Sequence, residues 1–143
     1  MKIAIGADHA GFEYKEKIIH YLTEKGINIK DFGAFSVDSV DYPDFAHPTS
    51  LAVETGEADF GILLCGSGQG VSMTSNKHQG VRCALCWNTD IVRLSRKHNN
   101  ANIIAFPARF VALEYAIEMI DVFLNTEFEG GRHDRRVGKI ACS

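Results

Sequence analysis

The segment Cys65-Gly66-Ser67-Gly68-Gln69-Gly70 holds the densest chemical signal in the chain. Alternating glycines let several backbone N–H groups converge on one anion, and a helix that starts there adds positive potential. Cys65 precedes the glycines, and a thiol facing a helix N-terminus gives up its proton readily. A base or nucleophile beside an anion or oxyanion cradle is the chemistry this order of residues suits. The same order also fits a tight turn that needs glycine only for its backbone, behind an inert core cysteine. Its G-x-G-x-G spacing departs from the dinucleotide fingerprint G-x-G-x-x-G. No G-x-x-x-x-G-K-[ST] occurs, which argues against nucleotide hydrolysis.

Two of the six histidines stand near other polar groups: His9 follows Asp8, and His98 precedes Asn99 and Asn100. Imidazole titrates near neutral pH and suits proton transfer, although a lone loop histidine is more often simply solvent-exposed, so neither carries the argument alone. His20, His47, His78 and His133 have no comparable placement. No H-E-x-x-H or other ligand spacing is present, so neither a metal nor another cofactor is expected. Cys83-x-x-Cys86 falls within a predicted strand, where residues three apart point to opposite faces, so the pair reads as structural. Cys142 reads as an exposed bystander. Arg132 and Arg136, four apart, share a face if helical, and two guanidinium groups on one face can clamp a phosphate. Arg109, after a predicted strand, adds a third cation, and a solvated basic tail is the plainer alternative for the C-terminal pair. Together these residues suit a phosphorylated, otherwise uncharged ligand handled by one thiol and one or two imidazoles.

The elements that must position these groups follow from hydrophobic periodicity. Apolar runs predict strands at 2–6, 27–32, 60–65, 81–86 and 102–106. The run Phe60-Gly61-Ile62-Leu63-Leu64-Cys65 is almost unbroken, as in a strand covered on both faces. Helical spacing predicts a helix bearing Phe12, Ile18, Ile19 and Leu22, others over 44–54 and 90–98, and a short one from the glycine segment to Asn76. The clearest stripe is Leu113, Ala116, Ile117, Ile120 and Phe123, and a last helix is predicted after Gly130. Strands alternating with helices imply a three-layer α/β fold with about five mainly parallel strands and helices on both faces. In such sheets ligands sit beyond the carboxyl ends of the strands, and Asp8-His9, Cys65 to Gly70 and the residues around His98 are expected there.

With 143 residues, 45% of them hydrophobic and 23% charged, the chain suits one domain spanning 1–143. Fifteen Lys and Arg against eighteen Asp and Glu leave a net charge of −3, which argues against nucleic-acid and anionic-membrane partners. No apolar run approaches the roughly 20 residues of a membrane span, and the N-terminal stretch is too short for a signal peptide. A cytoplasmic location is expected, with four irregularly spaced cysteines as free thiols.

Six segments, in order and at matching spacing, resemble the type B ribose-5-phosphate isomerases. They are Gly6-Ala7-Asp8-His9-Ala10-Gly11, Asp41-Tyr42-Pro43-Asp44, Cys65 to Gly70, Ser75-Asn76-Lys77, Leu94-Ser95-Arg96-Lys97-His98-Asn99 and Glu129-Gly130-Gly131-Arg132-His133-x-x-Arg136-Val137. The resemblance covers essentially the whole chain and implies a Rossmann-like sandwich that interconverts ribose 5-phosphate and ribulose 5-phosphate through an enediolate. It implies Cys65 as the base, Ser67 beside it, and the amides of Gly66, Ser67, Gly68, Gln69 and Gly70 as an oxyanion hole. It further implies that His98 opens the sugar ring, that Asp8, His9 and Asn99 bind the sugar and phosphate, and that Arg109, Arg132 and Arg136 hold the phosphate. A homodimer with shared sites, or a pair of such dimers, follows from the same resemblance. One branch of the family uses a carboxylate where this chain has Val71, which places the chain in the cysteine branch. Similar proteins isomerise allose 6-phosphate or galactose 6-phosphate, so a hexose substrate is the first alternative. A non-catalytic phosphate-binding module is the second.

Overall fold

Side-chain alternation along three central strands generates the layers. In β1 (Lys2–Ala7), β3 (Phe60–Cys65) and β5 (Ile103–Pro107), successive residues point to opposite faces. Ile3, Ile5, Ile62, Leu64, Ile104 and Phe106 enter one core, while Ala4, Leu63, Cys65, Ile103 and Ala105 enter the other. Both faces of each strand are therefore buried, which is why these segments read as continuous apolar runs. The edge strands β2 (Asn28–Asp31) and β4 (Cys83–Leu85) are shorter and only partly covered.

The first core is filled by α1 (Phe12–Glu24) through Ile18 and Leu22, by α4 (Thr89–Asn99) through Val92, and by α5 (Leu113–Asn125) through Met119, Ile120 and Phe123. The second is filled by α2 (Pro43–Glu54) through Ala46, Ala52 and Val53, and by α3 (Gln69–Ser75) through Val71. Each fully buried Leu, Ile or Phe side chain contributes about 1.5–3 kcal/mol, so both helix layers are held chiefly by burial. A sixth helix, α6 (Arg132–Val137), packs on α4. The helix expected after Gly130 is thus present, and it includes both Arg132 and Arg136.

This computed structural model describes residues 1–142. All strand pairs are parallel, in the order β2-β1-β3-β5-β4. From β1 the chain moves outward to β2, then crosses back to β3 on β1's other side. The loops after β1 and β3 consequently diverge and leave a crevice between them, the usual ligand position in an open parallel sheet. Asp8 and His9 follow β1, and Cys65 ends β3. Among the described residues no helix is long and apolar enough to cross a membrane.

Candidate active site

The crevice is a cleft of about 370 Å³ lined by Asp8, His9, Tyr42, Cys65, Ser67 and Arg109, with Ala10, Gly66, Gly70 and Phe110 completing its walls. Three strand ends thus converge on one space: β1 through Asp8 and His9, β3 through Cys65, and β5 through Arg109. Cys65 is 4% exposed, so its sulfur meets the cleft from a rigid, covered position. The turn behind it is tight for a steric reason. Gly68 has φ +74°, and a Cβ there would lie 2.5 Å from Leu85 Cδ1 and 2.9 Å from the Phe106 carbonyl carbon. Only glycine lets the chain turn this close to β5 and begin α3 with its first amides unbonded by any preceding carbonyl.

Each polar group has a defined orientation. Asp8 Oδ1 accepts from the amides of Ala10 (2.9 Å) and Gly11 (3.1 Å), which closes the turn into α1 and leaves Oδ2 as the oxygen free for a ligand. The Val40 amide donates to His9 Nδ1 at 3.2 Å. Because that amide can only donate, Nδ1 carries the lone pair and Nε2 carries the proton of neutral His9. His9 therefore offers a donor to the ligand. The amide of Gln69 donates to Ser67 Oγ at 3.3 Å, and the Arg109 amide donates to the Gly66 carbonyl at 3.0 Å, so the cysteine turn and the arginine turn are tied together. The Arg109 side chain lies across Gly66, with Nη1 3.2 Å from the position a Cβ would take there. Among the described residues, no carboxylate pairs with Arg109, Arg132 or Arg136.

The remaining expected residues lie elsewhere. Gly68 is buried behind the turn and Gln69 is exposed beyond it, so neither lines the cleft. His98 was expected at the carboxyl edge of the sheet, and within one chain it is not there. A helix that follows a parallel strand runs back along it, so α4 ends where β5 begins, four residues before Ile103. Cys65 is level with Pro107, the far end of β5. Four residue steps of strand, about 13 Å, separate the two levels. Asn99 lines a second cleft of about 400 Å³ with Arg82, Cys83 and Cys142. Arg132 and Arg136 lie on α6, beside the end of α4.

His133, which periodicity left without a role, is 8% exposed and stacks on His98, with ring centroids 4.3 Å apart and planes 14° from parallel. Burial, reinforced by the neighbouring His98 and Arg132 charges, holds its pKa below the ordinary imidazole value. Nothing in the local sequence signals this role, because it comes from the packing of α6 on α4. Donor atoms of His98, Glu129 and His133 lie within 4.8 Å of one another. Imidazole lone pairs lie in the ring plane, and two nearly parallel rings cannot aim theirs at one ion unless a ring turns, so the set fits a metal poorly.

The other cysteines behave as their spacing predicts. Cys83 faces the second core and Cys86 the first. Burial pushes both thiols up to about 12. Cys142 is exposed.

A parallel α/β sheet with a thiol, a carboxylate, an imidazole and a guanidinium gathered at its topological switch point defines a small-molecule site suited to an anionic ligand and to proton transfer. The chain matches the Ribose/Galactose Isomerase family model over residues 3–140 and belongs to that family. It is 45% identical over 141 residues to ribose-5-phosphate isomerase B of Escherichia coli, covering 99% of this chain and 95% of that protein. A solved ribose 5-phosphate isomerase from Thermotoga maritima superposes with a TM-score of 0.96 at 52% identity, covering 98% of this chain and 97% of the other. Ribose-5-phosphate isomerase B from Mycoplasma genitalium, solved with bound ribulose 5-phosphate, superposes with a TM-score of 0.94 at 42% identity, covering 97% and 93%.

Proposed function

We propose that this protein is an aldose–ketose isomerase that interconverts ribose 5-phosphate and ribulose 5-phosphate. The observation that carries the reading is the Cys65 thiol, set at a rigid strand end in a cleft with Asp8, His9, Ser67 and Arg109. A binding module has no need of such a thiol. The thiolate takes the proton from C2 of the open-chain aldose, and the electron pair moves through C1 to its oxygen. Amides at the cysteine turn stabilise the resulting enediolate. The proton on the C2 hydroxyl passes to the C1 oxygen, and Cys65 returns its proton to C1, which completes the ketose with atoms and charge balanced. Ser67 orients the thiol and substrate, the free oxygen of Asp8 accepts from a sugar hydroxyl, and Nε2–H of His9 and Arg109 serve the phosphate end.

Ring opening and the rest of phosphate binding fall to His98, Asn99, Arg132 and Arg136. These lie at the opposite end of the sheet from their own Cys65, so a second copy of the chain supplies them and the working unit is a homodimer with shared sites. In ring opening, the ring oxygen gains a proton, its bond to C1 breaks, and the C1 hydroxyl gives up its proton. A metabolic reaction of this kind suits the cytoplasm. The family description also spans galactose, which keeps a hexose 6-phosphate in view. The test is kcat/KM for ribose 5-phosphate beside allose 6-phosphate, with Cys65→Ala as the mechanistic variant. Preference for the pentose, unaffected by EDTA, and a Cys65→Ala protein that binds substrate without turnover are expected. Retained turnover in Cys65→Ala overturns the assignment of the base, and preference for the hexose overturns the substrate.

A further inference from the structure

We infer that Glu129 is a positioning residue for ring opening, holding the His98 imidazole in the orientation in which it exchanges protons with a cyclic sugar. The inference rests on the reading of His98 given above. His98 is partly exposed at the end of α4, where an unrestrained side chain would sample several rotamers. Two contacts restrict it. Glu129 Oε1 lies 3.3 Å from His98 Nε2, and the buried His133 ring covers one face of the imidazole. The carboxylate is itself placed by backbone, since the Glu129 amide donates to the Lys97 carbonyl at 3.1 Å. That bond joins the residue before His98 to Glu129 and fixes the two side chains side by side.

The chemistry favours this division of labour. With the carboxylate on Nε2, Nδ1 is the nitrogen left for the sugar, giving a proton to the ring oxygen and then taking one from the C1 hydroxyl, and the carboxylate settles which way the ring faces. Exposed ion pairs contribute little to stability, so this contact has little structural purpose to serve. Arg132, Arg136 and Lys97 are the cations around it, and among the described residues none of them pairs with Glu129.

The two substrates separate this role from a general one. In ribulose 5-phosphate the C5 oxygen is phosphorylated and cannot close a furanose on the C2 ketone, so the ketose is acyclic. Exchange of its C1 hydrogen with deuterium oxide needs Cys65 and the enediolate cradle, and needs no ring chemistry. Consumption of ribose 5-phosphate, which is cyclic in solution, needs both. The experiment compares the full-length wild type with Glu129→Gln, Glu129→Ala and His98→Asn. It measures turnover of ribose 5-phosphate and NMR-detected deuterium uptake at C1 of ribulose 5-phosphate. Glu129→Gln and Glu129→Ala are expected to lower aldose turnover about tenfold, part of the roughly 10²–10⁴ that a positioned acid–base group supplies, with exchange within twofold of wild type. His98→Asn is expected to show the same split more strongly.

If aldose turnover in both Glu129 variants stays within twofold of wild type while His98→Asn shows the split, the role of Glu129 is overturned and that of His98 stands. An equal fall in turnover and exchange in the Glu129 variants reduces the contact to a structural one and also overturns the inference. If His98→Asn leaves both rates unchanged, the reading beneath fails instead.

Discussion

Replacing Gly68 by alanine adds one methyl group at the point where the cysteine turn meets β5, and two costs follow. The residue sits at φ +74°, and an L-residue held in the left-handed region costs about 1–2 kcal/mol. The new carbon would also stand 2.5 Å from Leu85 Cδ1, 2.9 Å from the Phe106 carbonyl carbon and 3.0 Å from its oxygen. The Leu85 methyl can swing aside, but Phe106 is backbone in a strand paired with β3 and β4 and cannot, so overpacking adds about 1–3 kcal/mol. The sum, about 2–5 kcal/mol, is a large part of the roughly 5–15 kcal/mol that holds a domain together. Gly56→Ala is the matched control, with φ +81° and open space around the added carbon, so it incurs the first cost alone. Urea unfolding of both variants isolates the steric term as their difference. The turn can relieve the clash only by moving away from β5 with its amides, and a displacement near 1 Å costs about 100-fold in rate, so kcat/KM of Gly68→Ala falls while that of Gly56→Ala does not. A Gly68→Ala protein as stable and as active as Gly56→Ala would refute the reasoning.

Other perturbations probe the scaffold. Lys15 is fully buried, with Nζ 2.8 Å from both Asp31 and Glu16, and Asp31 in turn accepts from the Gly33 amide. Lys15→Met therefore removes the buried partner of two partly exposed carboxylates and is expected to cost about 1–3 kcal/mol in urea unfolding. Cys83 and Cys86, with pKa values near 12, hold only about one thiolate in 10⁴ at pH 8, so iodoacetamide followed by mass spectrometry should mark Cys142 and spare both until the protein unfolds. His133 has a depressed pKa in the folded chain, so the unfolded chain takes up its proton first as pH falls. Its contribution to stability is complete above the unfolded value near 6.5 and is lost below it, and His133→Asn should flatten that acid-side slope in urea midpoints measured from pH 8 to 5.

The legibility of the elements tracks their burial. Phe60 to Cys65 reads as a strand because both faces are covered, and the observed β3 has the same bounds. The edge strands carry a weaker pattern. The run 27–32 narrows to Asn28–Asp31 and 81–86 to Cys83–Leu85: Phe32 and Cys86 still donate to Ile5 and Ala105 of the neighbouring strands, but the regular ladder stops before them, while Ile27 and Val81 only pack against the core. Placing Asp8, His9, Cys65, Ser67 and Arg109 beyond strand ends needed only the alternation of strands and helices. His98 was misplaced because the end of α4 looks like any polar helix end in sequence. A helix returning antiparallel to its strand delivers that end to the opposite edge.

The sequence by itself determined the chemical types and the layers, since apolar periodicity and glycine spacing are local properties that every fold of this chain must satisfy. It held the thiol, the glycine turn, the parallel sheet and the arginines four apart. Only the tertiary structure decided which of these meet. Strand order β2-β1-β3-β5-β4 sets the turns after β1, β3 and β5 around one cleft, and the packing of α6 on α4 brings His133 and Glu129 onto His98. The cleft joins Asp8, Cys65 and Arg109, which are 44 to 101 positions apart, and the neighbours of His98 are 31 and 35 positions distant, where no periodicity in the chain carries information. Non-local packing and the direction of each crossover settle such pairings, and within one chain they set Cys65 and His98 at opposite ends of the sheet.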